Sequence, residues 1–251
     1  MKKLTARLAS PVGRRRELGC LVLTLGIMAG LESSMFPALA QAESTVSPEL
    51  RNRSPNALGA QRFDIDAKDV QVLFVDLQSK LTQGSKSVTP SSLSANAAAL
   101  AKIAKLVDVP VTYSIVPIGG KPAPQIPELA PYTNQANTYQ RVMAGTFLDS
   151  NLVDALAKHK RKTLVVSGYA TEVAVLQSVL GALKSGYTVY VVVDAIGSQS
   201  ARTESAALHE MEMAGAIPTS VLALAAQLAP DFSRPPSSNV LATFDELRPP
   251  Q

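Results

Sequence analysis

The sequence predicts a three-layer α/β domain, with a mostly parallel sheet of about six strands and helices on both faces. Three observations lead there. The runs Val70–Val75, Leu164–Ser167 and Thr188–Val193 are apolar without alternation, as strands buried on both faces are. Segments of helical hydrophobic spacing lie between such runs. The stretch from Leu164 to Gly197 then reads strand, tight turn, helix and strand, the order of a parallel βαβ unit.

Residues 1–42 read as an export signal. Lys2, Lys3, Arg7 and Arg14–Arg16 form a basic start, Cys20–Leu31 is an apolar run, and Ala40-Gln41-Ala42 is a cleavage site. The apolar run is shorter than the roughly 20 residues that span a bilayer. Arg15-Arg16 suits a twin-arginine signal and the rest suits a plain secretory one. Either way the expected location is the periplasm or outside the cell, with no membrane anchor after cleavage. Residues 43–62 are polar, carry Pro48 and Pro55, and read as a linker. The folded domain is expected over 63–228, followed by a proline-rich tail over 229–251 with a weak apolar run at Val240–Phe244, suited to docking on a neighbouring subunit.

Composition narrows the function. Six of the 24 Lys and Arg and two of the 20 Asp and Glu lie in the first 42 residues, so the remainder is formally neutral. It has no basic stripe with which to hold nucleic acid. The single cysteine, Cys20, sits in the signal, which leaves neither thiol nor disulfide beyond it. No phosphate-binding glycine loop follows the first strand, which disfavours a dinucleotide cofactor.

Each element has its own local cause. Val70–Val75 is the first strand and ends at Asp76-Leu77-Gln78. Thr89-Pro90 supplies an N-cap and a first-turn proline for a helix whose Leu93, Ala97, Leu100, Ala104 and Val107 share a face. Val109–Val116 is the second strand. Pro117–Gln140 carries five prolines and reads as a long irregular stretch across the carboxyl edge of the sheet, with Tyr132, Asn134, Asn137 and Tyr139 available to line a pocket. Ser150 or Asp149 caps a helix to Lys158, with His159 at its carboxyl end facing solvent. After Leu164–Ser167, Val173, Leu176, Leu180 and Leu183 give the next helix one buried face, and Gly186 stops it. Asp194 closes the strand Thr188–Val193. Arg202–Ala214 is a helix carrying a half-buried His209, Ile217–Val221 a short strand, and Leu222–Leu228 a last helix.

The turn Gly168–Thr171 lies at the carboxyl edge, where open α/β sheets bind ligands. Gly168, Thr171, Glu172, Val173 and Val175 are in register with the G-x-x-T-[DE]-V-C-V segment of the isochorismatase-like hydrolases, the superfamily of nicotinamidases and other small amidases. Val75-Asp76-Leu77-Gln78 resembles the V-[VI]-D-x-Q motif that carries that family's aspartate, and Arg141 precedes Gly145-Thr146-Phe147 at the interval of its basic residue. The resemblance implies the isochorismatase-like fold and places Asp76 and Arg141 in the active site. It further implies a cis peptide at Tyr169–Ala170 and an anion hole built from Tyr169, Ala170, Thr171 and Glu172. Ala174 stands where the family's nucleophilic cysteine belongs, so covalent amide hydrolysis through residue 174 is ruled out.

Three chemistries remain open on these residues. The site binds a small polar or carboxylate ligand without turning it over; or Asp76 drives an isochorismatase-type vinyl-ether hydrolysis without a nucleophile; or a hydroxyl of Thr171 or Ser178 is borrowed. No metal is expected, because His159 and His209 fall outside the positions the resemblance would require. Arg141 is expected to pair with Asp76 and keep its carboxylate ionised. The resemblance also implies a homo-oligomer.

Overall fold

The computed structural model describes residues 65–247. The expected signal and linker, residues 1–62, lie outside the described residues. Among the described residues six strands form one sheet: β1 (Val70–Val75), β2 (Val111–Ile115), β3 (Thr138–Gln140), β4 (Thr163–Tyr169), β5 (Thr188–Gly197) and β6 (Ile217–Thr219). Their order is β3-β2-β1-β4-β5-β6, and every pairing is parallel. The chain starts in the middle, moves out to one edge, returns, and then builds the other edge. The strand order therefore reverses between β1 and β4, and the carboxyl ends of these neighbours form the crevice that such a reversal opens.

Among the described residues seven α-helices flank the sheet: α1 (Ser79–Thr82), α2 (Pro90–Leu106), α3 (Ser150–Lys158), α4 (Leu176–Lys184), α5 (Ala201–Met213), α6 (Val221–Leu228) and α7 (Ser237–Glu246). The two layers read directly from strand alternation. Val70, Val72 and Phe74 of β1 pack with Leu93, Ala97 and Leu100 of α2, Leu224 of α6 and Val240 of α7. Leu73 and Val75 point the other way, toward Leu156 of α3, Val179 of α4 and Met211 of α5. Each such side chain, fully buried, contributes about 1.5–3 kcal/mol.

Caps follow the local sequence. Thr89 accepts the Ser92 N–H ahead of α2, Asp149 accepts those of Asn151 and Leu152 ahead of α3, and Ser220 accepts that of Ala223 ahead of α6. Among the described residues no helix is long and apolar enough to cross a membrane.

Several expectations need correction. The long stretch after β2 is not structureless: Pro127–Tyr132 forms a 3₁₀ helix and Thr138–Gln140 forms the edge strand β3. Proline density hid a strand too short to show a period. The tail holds α7, whose Val240 is buried against the chain's own core, so its apolar run is used within this protomer. β5 runs past Asp194 to Gly197, because it bulges: β4 advances from Val166 to Gly168 while β5 advances from Val191 to Ile196. Asp194, carried out by the bulge, accepts the Val221 N–H at 3.0 Å at the start of α6.

The helix after β4 also differs. Its first turn, Thr171–Val175, is a π-helix, with the N–H groups of Val173, Ala174 and Val175 all directed at the Ala170 carbonyl. The wider turn rotates the following face. Val173, expected inside, is 51 % exposed, while Val175, Val179 and Ala182 are buried and Leu180 and Leu183 only partly so. The two histidines trade places with expectation as well. His159 is half-buried with Nε2 3.3 Å from Thr112 Oγ1, and burial and Arg161 hold its pKa below the ordinary value. His209 is exposed.

Candidate functional site

β1 delivers Asp76 to the crevice. Asp76 takes a left-handed conformation (φ 53°), which aspartate tolerates better than most residues. Its N–H donates to the Ser114 carbonyl at 2.9 Å, so the turn leaves the sheet with its ladder satisfied. Two residues on, Gln78 is fully buried and acts as a staple. Its Nε2 donates to the Val116 and Ala123 carbonyls at 2.9 and 3.0 Å, and its Oε1 accepts the Val116 N–H at 2.9 Å. The Gln of the V-D-L-Q sequence therefore anchors the loop after β2.

Arg141 comes from the far side. Its N–H donates to the Ile115 carbonyl at 2.9 Å, continuing the β2–β3 ladder by one residue. Its side chain reaches Asp76, with Nη2 2.8 Å from Oδ2. The segment that follows is pinned to α4: Ser178 Oγ accepts the Thr146 N–H at 3.0 Å and donates to Thr146 Oγ1 at 2.9 Å. Ser178 is thus a tie between two elements.

The pair is buried, with Asp76 6 % and Arg141 2 % exposed. The ion pair and hydrogen bond to Arg141 lower the aspartate's pKa, but loss of hydration outweighs both and raises it from 3.8 to about 6. Arg141 pairs with Asp76 as expected and favours its ionised form, but burial moves the pKa up toward neutrality. In low dielectric the cost of the buried charge exceeds what one partner at one oxygen returns. Asp76 Oδ1, Arg141 Nε and Arg141 Nη1 are buried with no hydrogen-bond partner among the described residues.

Across the crevice, β4 ends in Gly168 and Tyr169. Gly168 sits opposite Val75, and a Cβ there would meet the Val75 carbonyl oxygen at 2.4 Å. Only glycine lets the two strand ends approach so closely. The Tyr169–Ala170 peptide is cis. Ala174 is buried in the π-helical turn and offers only a methyl group. The Thr171 side chain is committed elsewhere and that of Glu172 in part: Thr171 Oγ1 lies 3.1 Å from the Gly197 carbonyl and 3.0 Å from Glu204 Oε2, and Thr203 Oγ1 donates to Glu172 Oε1 at 3.1 Å, leaving Glu172 Oε2 buried without a partner among the described residues. Both residues brace the turn against α5.

A cavity of about 670 Å³ is walled by Ile115, Gln125, Ile126, Asn134, Thr138 and Gln140 among others; neither Asp76 nor Arg141 lines it. A second, of about 390 Å³, includes Tyr132, Asn134 and Asn137. The tyrosine and asparagines expected at a pocket are therefore near cavities, but Asn137 and Tyr139 also bond within their own loop. Among the described residues no group of three His, Cys, Asp or Glu side chains is placed to hold a metal.

An aspartate at the end of β1, a basic residue after β3 and a cis turn after β4 meet at one crevice. The isochorismatase domain profile matches residues 70–222, which carry all three. The chain belongs to the isochorismatase domain family. Within it, the chain is similar to the probable hydrolase YcaC of Escherichia coli, 29 % identical over 153 residues that cover 61 % of this chain and 74 % of the relative. The crystal structure of that gene product, described as an octameric hydrolase of unknown specificity, superposes with a TM-score of 0.66 at 28 % identity, over 74 % of this chain and 89 % of the other. YcaC from Pseudomonas aeruginosa, solved with hexane-2,5-diol and covalent acrylamide, matches equally at TM-score 0.66, 28 % identity, and 74 % and 90 % coverage. The mouse isochorismatase domain-containing protein 2A is 30 % identical over 184 residues, covering 71 % of this chain and 84 % of its own length.

Proposed function

We propose that this isochorismatase-family chain uses the crevice at Asp76 and Arg141 to bind a small polar or carboxylate ligand, without covalent amide hydrolysis. The observation that carries the reading is the buried guanidinium: Arg141 spends one nitrogen on Asp76 and keeps Nε and Nη1 unpartnered among the described residues. Unmet buried donors cost about 1–3 kcal/mol each, which a ligand with acceptor atoms would recover. Residue 174, the position of the nucleophile in the cysteine-dependent members, contributes no group able to attack a carbonyl.

A second reading rests on the shifted carboxyl. With a pKa of about 6, Asp76 holds a proton often enough near neutral pH to act as a general acid, which favours a nucleophile-free hydrolysis such as that of a vinyl ether.

One experiment separates the two. Both the natural protein and Ala174→Cys are assayed against small amides and vinyl ethers. Amidase activity only in the cysteine variant supports a disarmed binding site. Turnover by the natural protein that Asp76→Asn abolishes overturns it in favour of aspartate-driven hydrolysis.

The protein is further read as an exported homo-oligomer. The octamer formed by E. coli YcaC supports assembly. So do the exposed Val142, Met143 and Leu148, which follow Arg141 on the surface. The basic, apolar and A-x-A sequence of residues 1–42 supports export. N-terminal sequencing of the periplasmic fraction is expected to return a chain that starts at Glu43, and a chain that starts at Met1 would refute the reading.

A further inference from the structure

Ser114 adds a further unpartnered group beside Asp76 and Arg141. It lies in β2 opposite Val75 of β1 and Tyr139 of β3, and its Oγ is buried without a hydrogen-bond partner among the described residues. Residues opposite one another in parallel strands share a face, and so do residues two apart along a strand. Ser114 therefore faces the layer that receives Val75. Arg141, two residues beyond Tyr139 on the continued ladder, leaves on that same face to reach Asp76. Ser114 also holds the Asp76 N–H through its own carbonyl.

Charge decides what such a site accepts. Asp76 and Arg141 together are neutral. A carboxylate added to them would leave one net negative charge out of water, which costs several kcal/mol. Protonation of Asp76 removes that charge and also converts the aspartate from acceptor only to donor. The aspartic acid, the two free guanidinium nitrogens and the serine hydroxyl are then all donors. Two carboxylate oxygens offer about four lone-pair sites to receive them.

We infer that Ser114 completes a three-residue site with Asp76 and Arg141, and that this site takes up a small carboxylate together with one proton held by Asp76. The inference rests on the binding reading above and adds the ligand's class and its coupling to protons. The burial that already raises the aspartate's pKa to about 6 makes this proton easy to acquire. Other titratable groups nearby have separate partners or orientations. His159 meets Thr112 two residues earlier on the same face of β2, Glu172 receives Thr203 at Oε1 and keeps Oε2 buried without a partner among the described residues, and Tyr113 stacks on Phe74 in the opposite layer at 4.9 Å. Burial raises the phenol pKa of Tyr113 and of Tyr169 on β4.

Acetate and its neutral isostere acetamide test this in calorimetric and NMR titrations of the mature protein. Acetate affinity is expected to fall about tenfold per pH unit above about pH 6, with uptake of one proton measured from buffers of different ionisation heat. Acetamide affinity should not vary with pH in this way. Asp76→Asn should flatten the acetate profile, and His159→Gln should leave it unchanged. Ser114→Ala should weaken acetate about tenfold at every pH, as loss of one hydrogen bond to a charged group does, and Ser114→Thr should restore it. If acetate binds and Arg141→Met abolishes it, but no proton is taken up or the profile survives in Asp76→Asn, the proton coupling is wrong and the binding site stands. If Ser114→Ala binds acetate as the parent does, Ser114 is no part of the site. If Arg141→Met changes the binding of neither probe, the binding reading itself fails.

Discussion

Arg141→Met is expected to destabilise the protein by about 3–5 kcal/mol at about pH 8, the usual cost of leaving a buried charge without its partner. Methionine nearly fills the volume but supplies neither the Coulomb attraction nor the hydrogen bond that Asp76 receives at 2.8 Å. Those are the two effects that lower the aspartate's pKa, so without them it rises beyond its present value of about 6. At about pH 5 the variant carries a neutral Asp76 and the loss should shrink to roughly that of one hydrogen bond, about 1 kcal/mol. The sign for the parent follows from the same group. Its folded pKa lies above its ordinary 3.8, so between about pH 4 and 6 the folded chain binds more protons, and this contribution to stability falls as pH rises through that window. Urea unfolding at the two pH values measures both effects, and an equal loss at each would contradict the account of Asp76.

Gly168→Ala should be as damaging for a different reason. The new methyl would stand 2.4 Å from the Val75 carbonyl oxygen and 2.9 Å from Val75 Cβ. The first of these is backbone in the centre of the sheet and cannot swing aside. Overpacking commonly costs 1–3 kcal/mol, and about 3 kcal/mol or more is expected here. Gly181→Ala is the control. Its methyl would meet Phe147 Cβ at 2.5 Å, but that residue lies in a short 3₁₀ segment near the surface and can shift. The midpoint of thermal unfolding should fall markedly in the first variant and modestly in the second. Equal shifts would mean that the β1–β4 approach is not the tight point of the sheet.

How much of this was legible in the sequence depended on the range of the interaction involved. Val70–Val75 and Thr188–Val193 declare themselves because a strand buried on both faces has no polar residue to interrupt it. Asp76 and Arg141 were legible through the motifs around them, and their meeting at 2.8 Å follows from the ends of β1 and β3 sharing one edge. What stayed hidden was fixed by tertiary contact. β3 is three residues in a proline-rich loop and exists because β2 offers an edge. The π-helical turn adds a residue that no periodicity announces, and so Val173 faces outward. Ser114 carried no signal at all, since a serine in a strand reads as filler until its neighbours in the sheet are known. The raised pKa of Asp76 is not legible either, because a sequence suggests a partner but not the depth of burial that opposes it.

The bulge in β5 gives that strand two registers against β4. Up to Val191 its residues are in step with β4 and belong to the core. From Ile196 onward they keep a different step, and the Gly197 carbonyl is within 3.1 Å of the Thr171 hydroxyl that braces the cis turn. The stretch of β5 that braces the cis turn and the stretch that fills the sheet are thus set by different registers against β4, although both are buried.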